Sequence, residues 1–253
     1  MKADSLAVEA RENGVRVLRM NRPDKRNALD AAQWEILSTT VSELATDPAV
    51  TCLVLTGVGS SFASGGDLSR FLEEVEAPEG PHQFRERIRK CLDAFHRFPR
   101  PTVAMVNGPA IGGGLELAIS CDVRIAARTA SFGMPAVRFG IVMAYPDAQR
   151  LVSVVGPSWA RFLSLTGSVI DAQRSYEIGL VHSIAEPHEL EKATEAIVDQ
   201  LLRGEPEAIG WFRHVFDTLD EPSSQKELGL REFEERCLTT AAFRQRVIRF
   251  LNR

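Results

Sequence analysis

The chain has 253 residues, of which 44% are hydrophobic and 25% are charged, and its formal net charge is −4. This length and composition are typical of a folded globular protein with a sizeable core, and they exclude a disordered or fibrous chain. The slightly acidic balance gives no electrostatic reason to expect a nucleic-acid partner. The 4 cysteines form no C-x-x-C pair, so neither a disulfide framework nor a metal site is predicted. Because no secretory or membrane-spanning pattern is present, we expect a soluble cytoplasmic protein.

The first predicted elements are two strands joined by a tight turn. Apolar and polar residues alternate over 6–11 and 15–20, and Asn13-Gly14 between them favours a hairpin. Asp30 and Gln33 then predict a capping box at the start of a helix. The apolar face of that helix comprises Trp34, Leu37, Val41 and Leu44.

Two short apolar runs, Thr51–Thr56 and Thr102–Val106, predict buried strands. Between them, Glu73–Pro81 is acidic and contains proline and glycine, so we predict a mobile loop that acts as a lid. A helix follows this loop, and its arginines and lysine are assigned to a solvent-exposed face. The apolar stripe of this helix comprises Phe84, Ile88, Cys91, Phe95 and Phe98.

A further run, Asp122–Ala126, predicts another strand, and the repeated alternation of strands with helices indicates a mixed α/β core. Helices are also predicted over 157–165, 187–202, 206–219 and 225–238. The 3 tryptophans fall at helical spacing with other apolar residues, so they are predicted to lie in the core. They are Trp34, Trp159 and Trp211.

A glycine-rich stretch, Asn107–Ala118, lies between the strand at 102–106 and a helical pattern. The glycines at 112–114 open that helix, where a ligand can approach the bare backbone. The first N–H groups of a helix have no intrahelical partner and lie at its positive end, so they stabilise an oxygen that gains negative charge. Glu116 follows Gly113 on the same helical face, which places a carboxylate beside such a site.

A second glycine site, Ser61–Leu68, follows the strand at 51–56, and the two loops together can supply one N–H each to a single oxygen. The alternative is structural, because the same glycines let a helix pack tightly on a strand and an acidic first turn complements the helix dipole. Gly57-Val58-Gly59 is only a fragment of a dinucleotide fingerprint, and no glycine cluster is followed by a Walker lysine. Neither a Rossmann nor a P-loop site is therefore predicted.

Three stretches in this order, residues 21–29, 62–68 and 107–118, resemble the crotonase (enoyl-CoA hydratase/isomerase) superfamily. The resemblance implies an α/β fold, a crotonase-like spiral of β-β-α turns with a helical C-terminal part. It also implies a spiral core with an acyl-CoA pocket over 1–203, and a C-terminal helical segment over 204–253 that covers the pocket and mediates oligomerisation. A homotrimer or a dimer of trimers is the usual assembly in this family.

By the same resemblance, the backbone N–H groups of Gly66 and Gly113 form an oxyanion hole that holds a thioester carbonyl as it becomes an enolate. Glu116 matches one of the two catalytic glutamates of family hydratases. Ala136 stands at the position of the second and cannot carry a proton, so isomerisation is favoured over hydration. Coenzyme A is expected as part of the substrate and not as a bound cofactor. The positions that match the coenzyme A groove are Lys25, Arg26, Ala28, Ala63, Ser64, Asp67 and Leu68.

Alternatives remain open at several of these positions. Asp147 or Tyr145 can supply the missing acid or base, or Pro146-Asp147 can simply begin a helix. Asp67 is also a candidate helix N-cap, and the two basic residues of the groove can be ordinary loop charges. The 5 histidines show no spacing typical of metal ligands. The alternative functions are a specialised acyl-CoA hydratase, hydrolase or lyase, and a non-catalytic acyl-CoA-binding protein.

Overall fold

The computed structural model describes residues 5–77, 80–220 and 241–252. Its strands are β1 (Leu6–Ala10), β2 (Val15–Met20), β3 (Cys52–Gly57), β4 (Thr102–Val106), β5 (Ala110–Ile111), β6 (Val123–Ala127), β7 (Ser131–Gly133), β8 (Val169–Asp171) and β9 (Ser183–Ala185). Its helices are α1 (Ala31–Thr46), α2 (Leu68–Glu76), α3 (Gly80–His96), α4 (Gly113–Ile119), α5 (Tyr145–Thr166), α6 (Ala172–Glu177), α7 (Leu190–Leu202), α8 (Pro206–Asp220) and α9 (Ala241–Leu251). Short 3₁₀ turns span Pro23–Lys25 and Pro135–Phe139.

Six strands form the main sheet, in the order β1-β2-β3-β4-β6-β9. β1 and β2 are antiparallel, and every later pair of neighbours in this sheet is parallel. A second sheet of three strands has the order β5-β7-β8. This arrangement confirms the mixed α/β fold class that the alternation of elements predicted.

The central parallel strands are buried on both faces. Every residue of β3 and β4 is buried, because helices cover the sheet on either side. In the main hydrophobic core, Leu37 of α1 and Phe95 of α3 pack together with alternate strand residues. In a second core, Val54 and Met105 pack against Val198 of α7. Continuous apolar runs, not alternating ones, are therefore the signature of these strands.

The pairing of β3 with β4 decides where the two glycine-rich stretches begin. Leu53 pairs with Thr102 and Leu55 with Ala104, and the two strands run parallel. Segments that follow adjacent parallel strands leave a sheet at the same edge, which is where α/β proteins place their ligands. The segments after β3 and β4 therefore start side by side.

Several local predictions are confirmed. Gly14 in the hairpin turn has a φ of +82°, which glycine adopts without steric cost. Asp30 caps α1 by accepting a hydrogen bond of 3.0 Å from the Gln33 backbone N–H. The side chain of Gln33 donates instead to Ser5 Oγ at 2.8 Å, so only half of the predicted capping box forms.

The mobile loop predicted over Glu73–Pro81 is wrong in part. α2 continues to Glu76, and α3 begins at Gly80. The rings of Phe71 and Phe84 meet edge to face with their centroids 4.5 Å apart, which joins the two helices. A short acidic segment has little helical stability of its own, so this tertiary contact decides its structure.

The core assignment of the tryptophans holds for two of the three. Trp34 is 2% exposed and Trp159 is partly buried, but Trp211 on α8 is 60% exposed, so its assignment is wrong. The helix predicted at 225–238 and Cys237 lie outside the described residues. None of the described helices has the length and apolar content needed to cross a bilayer.

Candidate functional site

The two glycine loops are joined by backbone hydrogen bonds. Ala63 N donates to Pro109 O at 3.0 Å, and Ile111 N donates to Ala63 O at 2.9 Å. A Cβ on Gly114 would lie 2.2 Å from the carbonyl oxygen of Ala63, so no side chain fits there. The structural explanation of the glycines is therefore correct for Gly114, which lets α4 approach the neighbouring loop.

Two asparagines hold the chain that leads into the first loop. Asn27 Nδ2 donates to the carbonyl oxygens of Val58 and Ser61, at 3.0 and 2.8 Å. Asn107 Nδ2 donates to Gly59 O at 2.8 Å. Both asparagines come from stretches that resemble the family, and both satisfy backbone groups that no strand partner satisfies.

The two loops meet at Gly65 and Gly113. Gly112 has a φ of +54°, which side chains rarely adopt, and its N–H donates to Gly133 O in β7 at 2.9 Å. A Cβ on Gly65 would lie 3.7 Å from the nitrogen of Gly113. Within the described residues, no backbone carbonyl accepts a hydrogen bond from the N–H of Gly66 or Gly113. The junction therefore carries two backbone donors that are not used by the fold.

A cavity of about 180 Å³ opens at this junction. Gly66 and Gly113 both line it, together with residues of α2, α3 and the segment from Met134 to Asp147. Much of the wall is apolar, as expected of a site that binds an organic ligand. The apolar lining residues include Leu68, Phe71, Phe84, Ile88, Phe139 and Ile141.

One acidic side chain lies where the sequence placed it. Glu116 is in the first turn of α4 and lines the cavity with the two glycines. Ala136, in the 3₁₀ turn that follows β7, lines the same cavity. The site thus presents a carboxylate from α4 and a methyl group from the 3₁₀ turn.

The start of α5 forms another part of the wall. Tyr145 is the first residue of this helix, Pro146 and Asp147 follow in the first turn, and all three line the cavity. Asp147 is 4% exposed and pairs with Arg150 Nη1 at 2.8 Å. The prediction that Pro146-Asp147 begins a helix is confirmed, and the same residues also border the site.

The residues predicted for the coenzyme A groove occupy different environments. Ser64 and Leu68 line the cavity. Lys25 and Arg26 are exposed on the turn next to it, where Ser64 N donates to Arg26 O at 3.0 Å. The two remaining small residues are buried beneath the loops; they are Ala28 and Ala63.

Asp67 is tied into the framework of the site. Its carboxylate accepts hydrogen bonds from Ser69 Oγ and from Arg22 Nη2, the latter at 3.1 Å. Asp67 occupies the N-cap position of α2, but its side chain accepts no hydrogen bond from the helix backbone. The prediction that its side chain caps the helix is therefore wrong. Burial by itself raises the pKa of Asp67, but the Ser69 hydrogen bond and the Arg22 guanidinium bring the pKa below its ordinary value.

Sequence reasoning missed several lining residues. Arg85 and Arg89 of α3 were assigned to a solvent-exposed face, and both line the cavity, so that assignment is wrong in part. The side chain of Arg89 is still 40% exposed and pairs with Glu86 and Asp93 on the same helix. His82 lines the cavity too, at its exposed edge. Trp34 was assigned to the core and is at the same time part of the wall. The spacing of Arg85 and Arg89, one turn apart beside the apolar stripe, was the available signal.

Known proteins share this architecture. A family model described as enoyl-CoA hydratase/isomerase matches residues 10–251. A crotonyl-CoA hydratase from Syntrophomonas wolfei is 38% identical over 193 residues, which cover 76% of this chain and 74% of the relative. A short-chain-enoyl-CoA hydratase from Clostridium acetobutylicum is 35% identical over 210 residues, which cover 83% of this chain and 79% of the relative.

The crystal structure of an enoyl-CoA hydratase/isomerase from Mycobacterium paratuberculosis superposes with a TM-score of 0.88 at 26% identity, covering 97% of this chain and 98% of that one. The chain therefore belongs to the enoyl-CoA hydratase/isomerase family, the crotonase superfamily. Its fold is the crotonase fold that the resemblance implied.

The lowered pKa of Asp67 predicts a pH dependence of stability. A carboxyl whose pKa is lower in the folded state stabilises the fold above its ordinary pKa of about 3.9, and this contribution is lost as the pH falls through the lowered value. Wild-type stability is therefore expected to fall more steeply than that of Asp67→Asn in the acid range. Urea unfolding from pH 7 to pH 3 measures this, with Asp24→Asn, at an exposed neighbouring position, as the control. Equal pH slopes for wild type and Asp67→Asn would contradict the role of the Arg22 pair.

Proposed function

We propose that the protein is an enzyme that acts on an acyl-CoA thioester, and that it moves a double bond in the acyl chain in preference to adding water across one. The observation that carries the proposal is the composition of the cavity: Gly66 and Gly113, whose N–H groups are unused, line it together with Glu116 and Ala136. The relatives named as hydratases of enoyl-CoA esters support the substrate class.

In this proposal the two amides hold the thioester oxygen. An enolate places negative charge on that oxygen, and two fixed N–H groups stabilise it more than they stabilise the neutral carbonyl. Removal of one such donor costs about 2.7 to 4 kcal/mol of transition-state stabilisation in other enzymes. Only backbone groups act at these two positions, so glycine, which has no side chain, can serve at both.

Glu116 supplies the proton transfers. Its carboxylate removes a proton from carbon 2 of a 3-enoyl thioester, and the electron pair moves onto the oxygen held by the amides. The protonated Glu116 then returns the proton to carbon 4, and the double bond lies between carbons 2 and 3. One carboxylate completes this cycle. Hydration needs a second acid or base to activate water, and Ala136 has no group for it.

Coenzyme A is proposed to lie along the loop that joins Ser64 to Lys25 and Arg26. The two cations are exposed there, and Lys25 O accepts a hydrogen bond from Ser64 Oγ at 3.4 Å. Exposed cations beside an apolar cavity suit a ligand with phosphate groups at one end and an acyl chain at the other. The carboxylate of Asp67 is already bonded to Arg22. Asp67 is therefore proposed to shape the coenzyme A groove only through its backbone, between Gly66 and Leu68.

A second candidate function is hydration, hydrolysis or carbon–carbon cleavage of a specialised acyl-CoA. Asp147 and Tyr145 favour it, because both line the cavity and can act as acid or base in place of the missing glutamate. Water addition by the wild-type enzyme that Asp147→Asn or Tyr145→Phe abolishes would support this candidate. Tight acyl-CoA binding without turnover of any substrate would support a non-catalytic binding protein.

The C-terminal segment, residues 204–253, is proposed to support the pocket and to mediate assembly into a homotrimer or a dimer of trimers. Val247 of α9 is buried against Phe71 and Phe84, two residues of the cavity wall. On α8, three aromatic residues are each more than half exposed, as at protein interfaces. They are Trp211, Phe212 and Phe216.

Glu116→Gln is expected to lower kcat by a factor of about 10² to 10⁴ with little change in KM, because a glutamine keeps the shape of the site and cannot accept the proton. Steady-state isomerisation of 3-enoyl-CoA esters measures this. Glu35→Gln, at an exposed position of α1, is the matched control and should retain full activity. Full turnover by Glu116→Gln would reject the assigned base.

Ala136→Glu is expected to introduce or increase water addition to 2-enoyl-CoA by at least about tenfold, since it supplies the second carboxylate. Val137→Glu adds the same charge one residue further on, at an exposed position, and should not increase hydration. Loss of the 2-enoyl absorbance, with identification of the 3-hydroxy product, gives the rate. If a folded Ala136→Glu variant isomerises but adds no more water than wild type, then position 136 does not decide between isomerisation and hydration.

Replacement of Trp211 and Phe216 by Ser is expected to reduce the assembly to smaller species, because the exposed aromatic face of α8 loses its apolar area. Sedimentation equilibrium gives the mass of both proteins. Val8→Ser, which changes an exposed apolar residue of β1, serves as control. A monomeric wild type would contradict the proposed assembly.

A further inference from the structure

The ring of Trp34 lies directly against the backbone of Gly113. A Cβ on Gly113 would be 2.8 Å from Cζ2 and 3.1 Å from Cη2 of this ring. The next nearest atom, Leu29 Cδ1, would be at an ordinary distance of 3.5 Å. Trp34 is therefore the group that denies a methyl group to position 113, and its outer ring edge touches the residue that carries the proposed oxyanion donor.

Trp34 is a wall residue as well as a core residue. It is 2% exposed, belongs to the main core, and lines the cavity with Gly66, Gly113 and Glu116. Its indole Nε1 is buried, and no hydrogen-bond partner for it lies within the described residues. Nε1 is two bonds from Cζ2, so this unpaired donor lies on the ring edge that faces Gly113.

We propose that Trp34 is a positioning residue that sets the location of the Gly113 N–H in the oxyanion hole. The proposal rests on the proposed function, because the Gly113 amide matters only if an oxygen of the substrate binds to it. A rigid ring that fills the space where a Cβ of residue 113 would stand limits how far the amide can retreat from that oxygen. Contact of this kind affects the transition state more than the bound substrate, since the negative charge develops only there.

A complementary pair of substitutions tests the contact. Trp34→Phe removes Cζ2 and Cη2 and leaves space beside Gly113, and Gly113→Ala adds a methyl group that collides with the intact ring. Each alone is expected to lower kcat by roughly tenfold to a hundredfold while KM changes little, as for a small displacement of a catalytic group. In the double variant the methyl group fills the space left by the ring, so kcat should exceed that of either single variant.

Two controls separate positioning from general stability. Gly114→Ala collides with the carbonyl oxygen of Ala63, at 2.2 Å, so Trp34→Phe should not rescue it. Val41→Ala lies on the same helix in the same core and does not line the cavity, so it should lower the melting temperature and leave kcat unchanged. Trp34→Phe also removes an unpaired buried N–H, which offsets part of its packing loss, so its kcat should fall further than its melting temperature suggests.

A readout without turnover keeps this proposal distinct from the proposed reaction. Acetoacetyl-CoA forms an enolate whose ultraviolet absorbance reports how well a site stabilises the thioester oxyanion. Trp34→Phe and Gly113→Ala should each reduce the bound enolate fraction, and the double variant should restore it. If wild type forms this enolate but isomerises no enoyl-CoA, the proposed reaction fails and the positioning role stands. The positioning role is overturned if wild type isomerises but kcat and the enolate fraction are unchanged in Trp34→Phe. It is also overturned if the effects of the two single substitutions multiply in the double variant.

Discussion

The interlocked backbone of two loops is the constraint on which the site depends. Ala63 exchanges hydrogen bonds with the segment from Pro109 to Ile111, and the parallel pairing of β3 with β4 brings the two segments to one edge of the sheet. These bonds join main-chain atoms, so their geometry follows from the strand register and not from the identity of exposed side chains. In the proposed reaction this shared backbone fixes the two N–H groups before an oxygen binds, as electrostatic preorganisation requires.

The glycines around this junction have different physical reasons. Gly112 adopts a positive φ, Gly114 lies against a carbonyl oxygen, and Gly113 lies against an aromatic ring. The position of Gly66 has open space around it. A glycine cluster in a sequence therefore does not have one explanation, because three consecutive residues here are glycine for three different structural reasons.

The wall of the cavity joins elements that are remote in sequence. Glu116 comes from α4, Ala136 from a 3₁₀ turn, Asp147 from α5, and the aromatic pair Phe71 and Phe84 from α2 and α3. In the proposed reaction the choice of product depends on this wall, because the two amides would stabilise the enolate and the groups around it would decide where protons go. A methyl group at position 136 and a buried Asp147–Arg150 pair make this wall chemically different from one with two free glutamates.

The sequence by itself determined the elements whose signals are local: the hairpin at Asn13-Gly14, the Asp30 cap, the apolar strands, and the glycine loops with Glu116 one turn beyond. Tertiary structure decided what depends on distant partners. A loop was expected over 73–81, yet α2 continues to Glu76 and α3 begins at Gly80, because Phe71 meets Phe84. Arg85 and Arg89 border the cavity, and Trp211 is exposed to solvent. Periodicity identifies which residues share a face of a helix, but only the packing of other elements against that face determines whether it meets core, cavity or solvent.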